Sequence, residues 1–480
     1  MRSLIAQCGA LAALVAVGLA LASTAQAKTF VVNNTSDPTV GTCDLAGACT
    51  LRQAIIESVA TAGRDTIRFD PAVFPPGAPA YIFVYSTLPT IADPAGTVID
   101  GAGAGVRIWS QIPVGEDDAR AGLVFASAPG VALSNVTVAN VMLFGFAGSG
   151  VFVCGGLPPE CDADVVSPTI QRVTATLNGE AGIAIAGRRI AKPRFVESVA
   201  LSNYGGGLLS YATESITGAR IERCTARDNQ WVGLGVLFAD SISDTVVTDS
   251  VSVRNVYGVA IAGVAVAKTK LTNLATSDNT QAGIVFEAST EVSATTLSNA
   301  VASGNGWSGI GIVAETIAGI VAKDVVANDN RTGIELMATA ELTDATITQS
   351  TAAGNANVGI SLGSQARRSK ISRVNVVGNG TYGLVVSGST NVIEQVRASE
   401  NDDGGIRLAA PGNGNRVENC SSTANQGPGI AVEAGSKKNT IQRNVALGAD
   451  AVDLYEGNAS CADNVWMRNT LETRSEPCIR

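Results

Sequence analysis

The sequence predicts an all-β solenoid, a rod of short parallel strands wound coil upon coil. Three observations predict it. First, the frame Asn-x-x-x-Gly-aliphatic-x-aliphatic keeps returning, as in NTQAGIVF at 279–286 and NGWSGIGI at 305–312. Second, the aliphatics after each Gly alternate, the period-two signature of a strand: Ile284/Phe286, Ile310/Ile312, Ile334/Leu336 and Leu384/Val386. Third, the stretch before each Asn carries large, medium and small side chains at fixed offsets, with almost no helical stripe. Leu271, Leu274 and Thr276 precede Asn279; Ile371, Val374 and Val376 precede Asn379.

Aligned on the Asn, the frame recurs at Asn178, Asn203, Asn229, Asn255, Asn279, Asn305, Asn355, Asn379, Asn401 and Asn425, with Asp329-Asn330 filling the gap. A fixed period of this size marks a repeat architecture. With strands about 4.8 Å apart, roughly 11–14 coils would make a rod of about 50–65 Å. Asn is expected at a turn with left-handed backbone, which it tolerates, its amide bonding from coil to coil. The Gly four residues on is expected where a side chain would crowd the bend.

The elements follow in order from the N terminus. Arg2, an apolar run over 11–21 and Ala25-Gln26-Ala27 read as a secretory signal peptide over 1–27, and no later stretch is long and apolar enough for a membrane span. Residues 28–95 are expected to form an N-terminal cap and first strands. They include a short amphipathic helix with Leu51, Ile55 and Val59 on one face. Residues 96–455 are the solenoid and 456–480 a C-terminal cap around Trp466. Three close cysteine pairs, Cys43/Cys49, Cys154/Cys161 and Cys461/Cys478, read as local disulfides of an exported protein. Metal ligation is their rival, but there is no CxxC spacing and no His. Cys224 and Cys420 fill core slots and are expected to be buried free thiols.

The segment at 49–54, CTLRQA, resembles the Cys-Ser-Leu-Arg-Glu-Ala run near the start of many secreted bacterial β-helix proteins, with Thr for Ser and Gln for Glu. TIRFD at 66–70 and TVIDGAG at 97–103 resemble the first strands of that group. Over nearly the whole chain after the leader, the repeat resembles the right-handed parallel β-helix proteins, the pectate-lyase-like solenoids. Leucine-rich repeats share the Ile371-x-x-Val374-x-Val376-x-x-Asn379 pattern, but here a second alternating strand follows each Asn instead of a helical segment. The resemblance implies a substrate lying along the outer face of one strand stack. It also implies that Arg or Lys could act as a base beside Ca²⁺ held by Asp or Glu.

Composition narrows the chemistry. A net charge of −9 argues against nucleic acid and anionic membranes. With no His in the chain, Ser-His-Asp and Cys-His nucleophiles and His-based zinc sites are excluded, as is an Asp-Pro-His epimerase signature.

The outward positions after each Gly, among them Ala184, Leu209, Ala260, Val285, Gly311 and Glu335, form a small, apolar strip, which predicts a contact surface for a partner or a second copy. Two charged features compete with it. RRIAKPR at 188–194 places Arg188, Arg189, Lys192 and Arg194 in one turn with Arg220 one coil on, a candidate ligand-binding set for uronate carboxylates. A turn slot holding Glu214, Asp240, Glu291, Glu315 and Glu341, broken by Lys268, would repel itself unless solvated or relieved by Ca²⁺. The CGGLPPEC loop at 154–161 interrupts the period and is a candidate overhang that sets specificity.

The expectation is a secreted or envelope β-helix binding or structural module. No cofactor and no resident metal is assigned, and the partner is an extracellular polysaccharide or a protein. A polysaccharide lyase or hydrolase acting on uronate-rich chains is the alternative, and a tailspike-like trimer the third.

Overall fold

The computed structural model describes residues 27–38, 42–43, 47–111, 121–461 and 463–480. The leader expected over 1–27 lies almost wholly outside them. Within them the chain is an all-β parallel solenoid of about 15 turns.

Each coil contributes to three faces. One representative coil runs through Arg194–Val196 on the first face, Val199–Leu201 on the second and Leu208–Thr217 on the third. Each strand pairs in parallel with its counterpart in the next coil. Phe195 faces Ile221 and then Val247, Ala200 faces Ala226, and Ile183, Leu208, Leu234 and Val259 follow one another on the third face. The period of two sends alternate side chains inward, so these aliphatics form one continuous core along the rod.

The repeated Asn form the predicted ladder. From Asn178 to Asn425 each Nδ2 donates to the Oδ1 of the Asn one coil on, at 2.8–3.4 Å. The same oxygen also accepts the backbone N–H of the preceding Asn, as Asn305 does from Asn279 at 3.1 Å. The expected left-handed backbone is displaced by one residue. Positive φ falls on the residue before each Asn, at Leu177, Ser202, Asp228, Arg254 and Asp278, not on the Asn. What requires Asn is therefore its side-chain amide, which donates and accepts inside a dry corner. The Gly expectation holds for a steric reason: a Cβ at Gly309 would lie 2.7 Å from Asn330 Nδ2 and 2.8 Å from the Gly333 carbonyl oxygen.

A second, shorter ladder runs through Asn391, Asn415 and Asn439 to Asn464, between the third and first faces. At the corner between the first and second faces, Ser198 and Ser250 accept the N–H groups of Val173 and Cys224.

Both ends are covered. Helix α1 (Leu51–Ala60) is N-capped by Thr50, whose hydroxyl accepts the Gln53 N–H at 3.1 Å. It buries Leu51, Ala54, Ile55 and Ser58. Val59, placed on that face from sequence, points to solvent, because the i, i+3, i+4, i+7 stripe turns away from i+8. Arg52 ties the cap down by gripping the Asp37 carboxylate and the carbonyls of Ser86 and Thr87. At the other end Trp466 is buried and donates its Nε1–H to Glu456 at 2.9 Å. Disulfides join Cys43 to Cys49, Cys154 to Cys161 and Cys461 to Cys478. Cys224 and Cys420 are buried thiols.

Candidate functional site

The apolar strip on the third face is not an open surface along its first half. Ala184, Leu209, Leu237 and Ala260 are all buried, in a second hydrophobic cluster outside the main core. Trp231, Tyr257, Tyr211 and Phe152 lie over them. Trp231 and Tyr257 come from the second residue after a ladder Asn, a slot one coil deep that sequence reading passed over. The small residues of the strip are the seat on which these rings rest. Apolar exposure returns further along, at Val313 and Met337.

Where the strip opens, a groove forms. One cavity of about 210 Å³ is bounded by Tyr257, Gln281, Trp307, Glu287 and Glu335. A neighbouring one of about 540 Å³ shares Glu287 and Val313 and reaches Phe238. Trp307 comes from the same turn slot as Trp231 and Tyr257 and is 49% exposed. The Arg331 guanidinium, one coil on, sits 4.5 Å from its ring centre, which fixes the ring's orientation.

Phe238 reaches the groove by a different route. The strand Val232–Ser243 slips register against Tyr257–Ala267 between Leu237 and Ala239, and Phe238 stands at φ +68°. A bulky residue in the left-handed region is an outlier, and bulges re-aim side chains. Here the ring swings out, 60% exposed, and stacks on Trp231 with centroids 5.8 Å apart.

The polar groups of the groove are carboxylates. Glu335 accepts the Ser308 hydroxyl at 3.3 Å, and neither Glu287 nor Glu335 forms an ion pair among the described residues. Their strands are two coils apart, about 10 Å at the usual spacing. Further along the face, Arg407 stacks on Tyr382 and is held by Glu433.

The five cations singled out from sequence are scattered. Arg188 and Arg189 end the third-face strand Ile183–Ala191 beyond a register shift, and Asp164 and Glu214 from the flanking coils neutralise both at 3.0–3.5 Å. Lys192 occupies a left-handed corner. Arg194 and Arg220 are register partners on the first face, with Arg194 3.9 Å from Glu222. They form no common pocket with the groove. The acidic slot does not converge either: Glu291 and Glu341 share a register position, whereas Glu214 precedes the equivalent Ser215. Among the described residues no three acidic or cysteine side chains come together as metal ligands. The loop closed by Cys154 and Cys161 packs on Ala186, Phe152 and Tyr211 at the start of the third face.

A family model for the right-handed β-helix region matches residues 209–375 and again 283–446. The fold is a right-handed β-helix. No curated protein matches. Among solved structures, the β-helix resembles the A-module of the Azotobacter vinelandii mannuronan C-5 epimerase AlgE6, at 14% identity, covering 93% of this chain and all of that one, TM-score 0.37. It also resembles the catalytic domain of a GH87 α-1,3-glucanase (13% identity, 86% and 69% covered, TM-score 0.38) and pectate lyase Pel9A (10%, 94% and 78%, TM-score 0.27). Likenesses this distant concern the winding of the chain alone. Among the described residues no helix is long and apolar enough to cross a membrane.

Proposed function

We propose that this β-helix is an exported polysaccharide-binding module that holds a neutral glycan strand along its third face. The observation that carries the reading is the groove in which Trp307, braced by Arg331, and Tyr257 stand beside Glu287 and Glu335. Aromatic rings offer flat apolar faces to sugar rings, and carboxylates accept their hydroxyls, the few placed polar groups that orient a ligand in an apolar site. Tyr257 and Trp307 stand two coils apart, about 10 Å at the usual spacing, so the two rings meet an extended chain at separate points. Two carboxylates without cation partners disfavour a polyanionic chain at this place, so a neutral glycan is preferred over a uronate-rich one. The three disulfides suit an oxidising compartment.

Affinity electrophoresis and calorimetry against a panel of neutral and acidic polysaccharides test the reading. The expected result is retention by a neutral glycan, weakened at least about 10-fold in Trp307→Ala, with no new reducing ends or unsaturated products. Retention by acidic chains alone, or full affinity in Trp307→Ala, overturns it. Product release lost in Glu287→Gln or Glu335→Gln would move the chain to the hydrolase reading.

A further inference from the structure

Far from the third-face groove, at the N-terminal end of the rod, the second face carries a patch unlike the rest of the chain. Three consecutive strands, Ala80–Val84, Val106–Ser110 and Met142–Phe144, lie in register. Their outward positions form two columns. One runs through Tyr81, Arg107 and Met142; the other runs through Phe83, Trp109 and Phe144. Aromatics make up only 5% of the sequence, so four rings on three adjacent strands are a concentration that composition does not supply. The rings touch in sequence: Tyr81 and Phe83 at 5.6 Å between centroids, Phe83 and Trp109 at 5.9 Å, Trp109 and Phe144 at 4.7 Å.

The patch is a cavity and not a flat ladder. Tyr81, Arg107, Trp109, Met142, Phe144 and Thr176 enclose about 340 Å³. Arg107 is its one charged group. The guanidinium lies 5.2 Å from the Tyr81 ring centre, and Nη1 donates to the Tyr81 hydroxyl at 2.6 Å, so it is pre-oriented. Among the described residues it forms no ion pair. Some surface arginines are met by carboxylates, as Arg188, Arg223, Arg254 and Arg368 are, and others such as Arg220 and Arg397 are not; what sets Arg107 apart is its aromatic surround. Among the described residues no carboxylate meets it, and the walls are aromatic. A guanidinium fork with donors to spare takes a carboxylate in bidentate geometry; the surrounding rings take a flat apolar body.

We infer that this cavity binds a carboxylate carried on a six-membered ring, through Arg107 and the Trp109–Phe144 wall. Two sources share that chemistry: an aromatic acid and a sugar acid. The site lies on another face and does not rest on the third-face reading.

The test titrates the full chain after leader removal with benzoate, glucuronate, benzyl alcohol and glucose, by calorimetry. Binding of one or both acids, with the uncharged analogues at least about 10-fold weaker, is expected from a charge-assisted contact. Arg107→Ala should lose at least about 10-fold for the acid, Arg107→Lys should recover part of it, and Trp109→Leu should weaken it. A benzoate preference assigns an aromatic acid, and a glucuronate preference a sugar acid. Trp307→Ala should leave these affinities unchanged, so the two sites fail or stand separately. Acid binding no tighter than that of the uncharged analogue in both pairs, an unaffected Arg107→Ala, or no heat with either acid at tens of millimolar overturns the inference. Circular-dichroism melting of each variant distinguishes lost binding from lost folding.

Discussion

The Oδ1 of Asn305 accepts both the side-chain amide of Asn279, at 2.9 Å, and its backbone N–H, at 3.1 Å. One oxygen therefore satisfies two buried donors from the neighbouring coil, while Asn305 itself passes its own donors to Asn330. The repeat is a chain of such obligations.

Replacing Asn305 with Ala leaves the two Asn279 donors without their acceptor in a corner that excludes water. Each buried unsatisfied group costs about 1–3 kcal/mol, so Asn305→Ala should destabilise by about 2–5 kcal/mol. Asn299→Gly is the control. Its amide bonds Asn273 on the exposed corner at 3.2 Å, and Gly accepts its left-handed backbone, so its loss should cost under about 0.5 kcal/mol. Urea unfolding of both variants checks the contrast.

Phe238 should behave unlike a core aromatic. Its exposed ring loses only a stack on Trp231, whereas Gly at this position removes the left-handed strain. Phe238→Gly should therefore change stability by less than about 1 kcal/mol, since strain relief and lost stacking oppose each other. Phe286→Ala, in the buried core, should cost about 3–5 kcal/mol. The same Phe238→Gly variant should bind glycan more weakly, which melting and affinity electrophoresis together would show.

Burial pushes the Cys224 thiol up to about 11 and the Cys420 thiol up to about 12, from an ordinary 9.0. The folded state thus keeps protons that the unfolded chain releases. The stability these thiols contribute is fully present below about 9 and is lost as pH climbs from there toward 11–12. Denaturant midpoints measured from pH 8 to 11 should fall, and Cys420→Ala should fall less steeply. Neither thiol should react with maleimide at pH 8 without denaturant.

Arg188 and Arg189 share Asp164 and Glu214 at partly exposed positions. Such pairs are worth little individually, so Arg188→Ala should shift stability by under about 1 kcal/mol and leave glycan binding intact. Calorimetric affinity beside a melting curve reads both.

Wherever one residue per coil repeats, the sequence shows the structure plainly. The Asn ladder, the Gly that must clear it and the alternating strands were all legible, since a solenoid gives each coil the same environment. The shorter ladder at Asn391, Asn415, Asn439 and Asn464 has the same regularity and was passed over because its flanking frame is weaker. Trp231, Tyr257 and Trp307 were legible in principle, two residues after a ladder Asn, but only three coils carry them. They turned an apparently open apolar strip into a seat for rings. The outward swing of Phe238 was not legible: it depends on one extra residue inside a strand, which the repeat frame absorbs. The pairing of Arg188 with Asp164 was hidden because the two lie in different coils of unequal length.

The most direct test of the third-face reading is hydroxyl-radical footprinting of the protein, free and saturated with the neutral glycan it retains. Trp307, Tyr257 and Phe238 should be labelled in the free protein and protected in the complex, while Tyr81 and Phe83 on the second face keep their labelling. Protection confined to the second face, or no change at Trp307 in a saturated complex, would contradict the account.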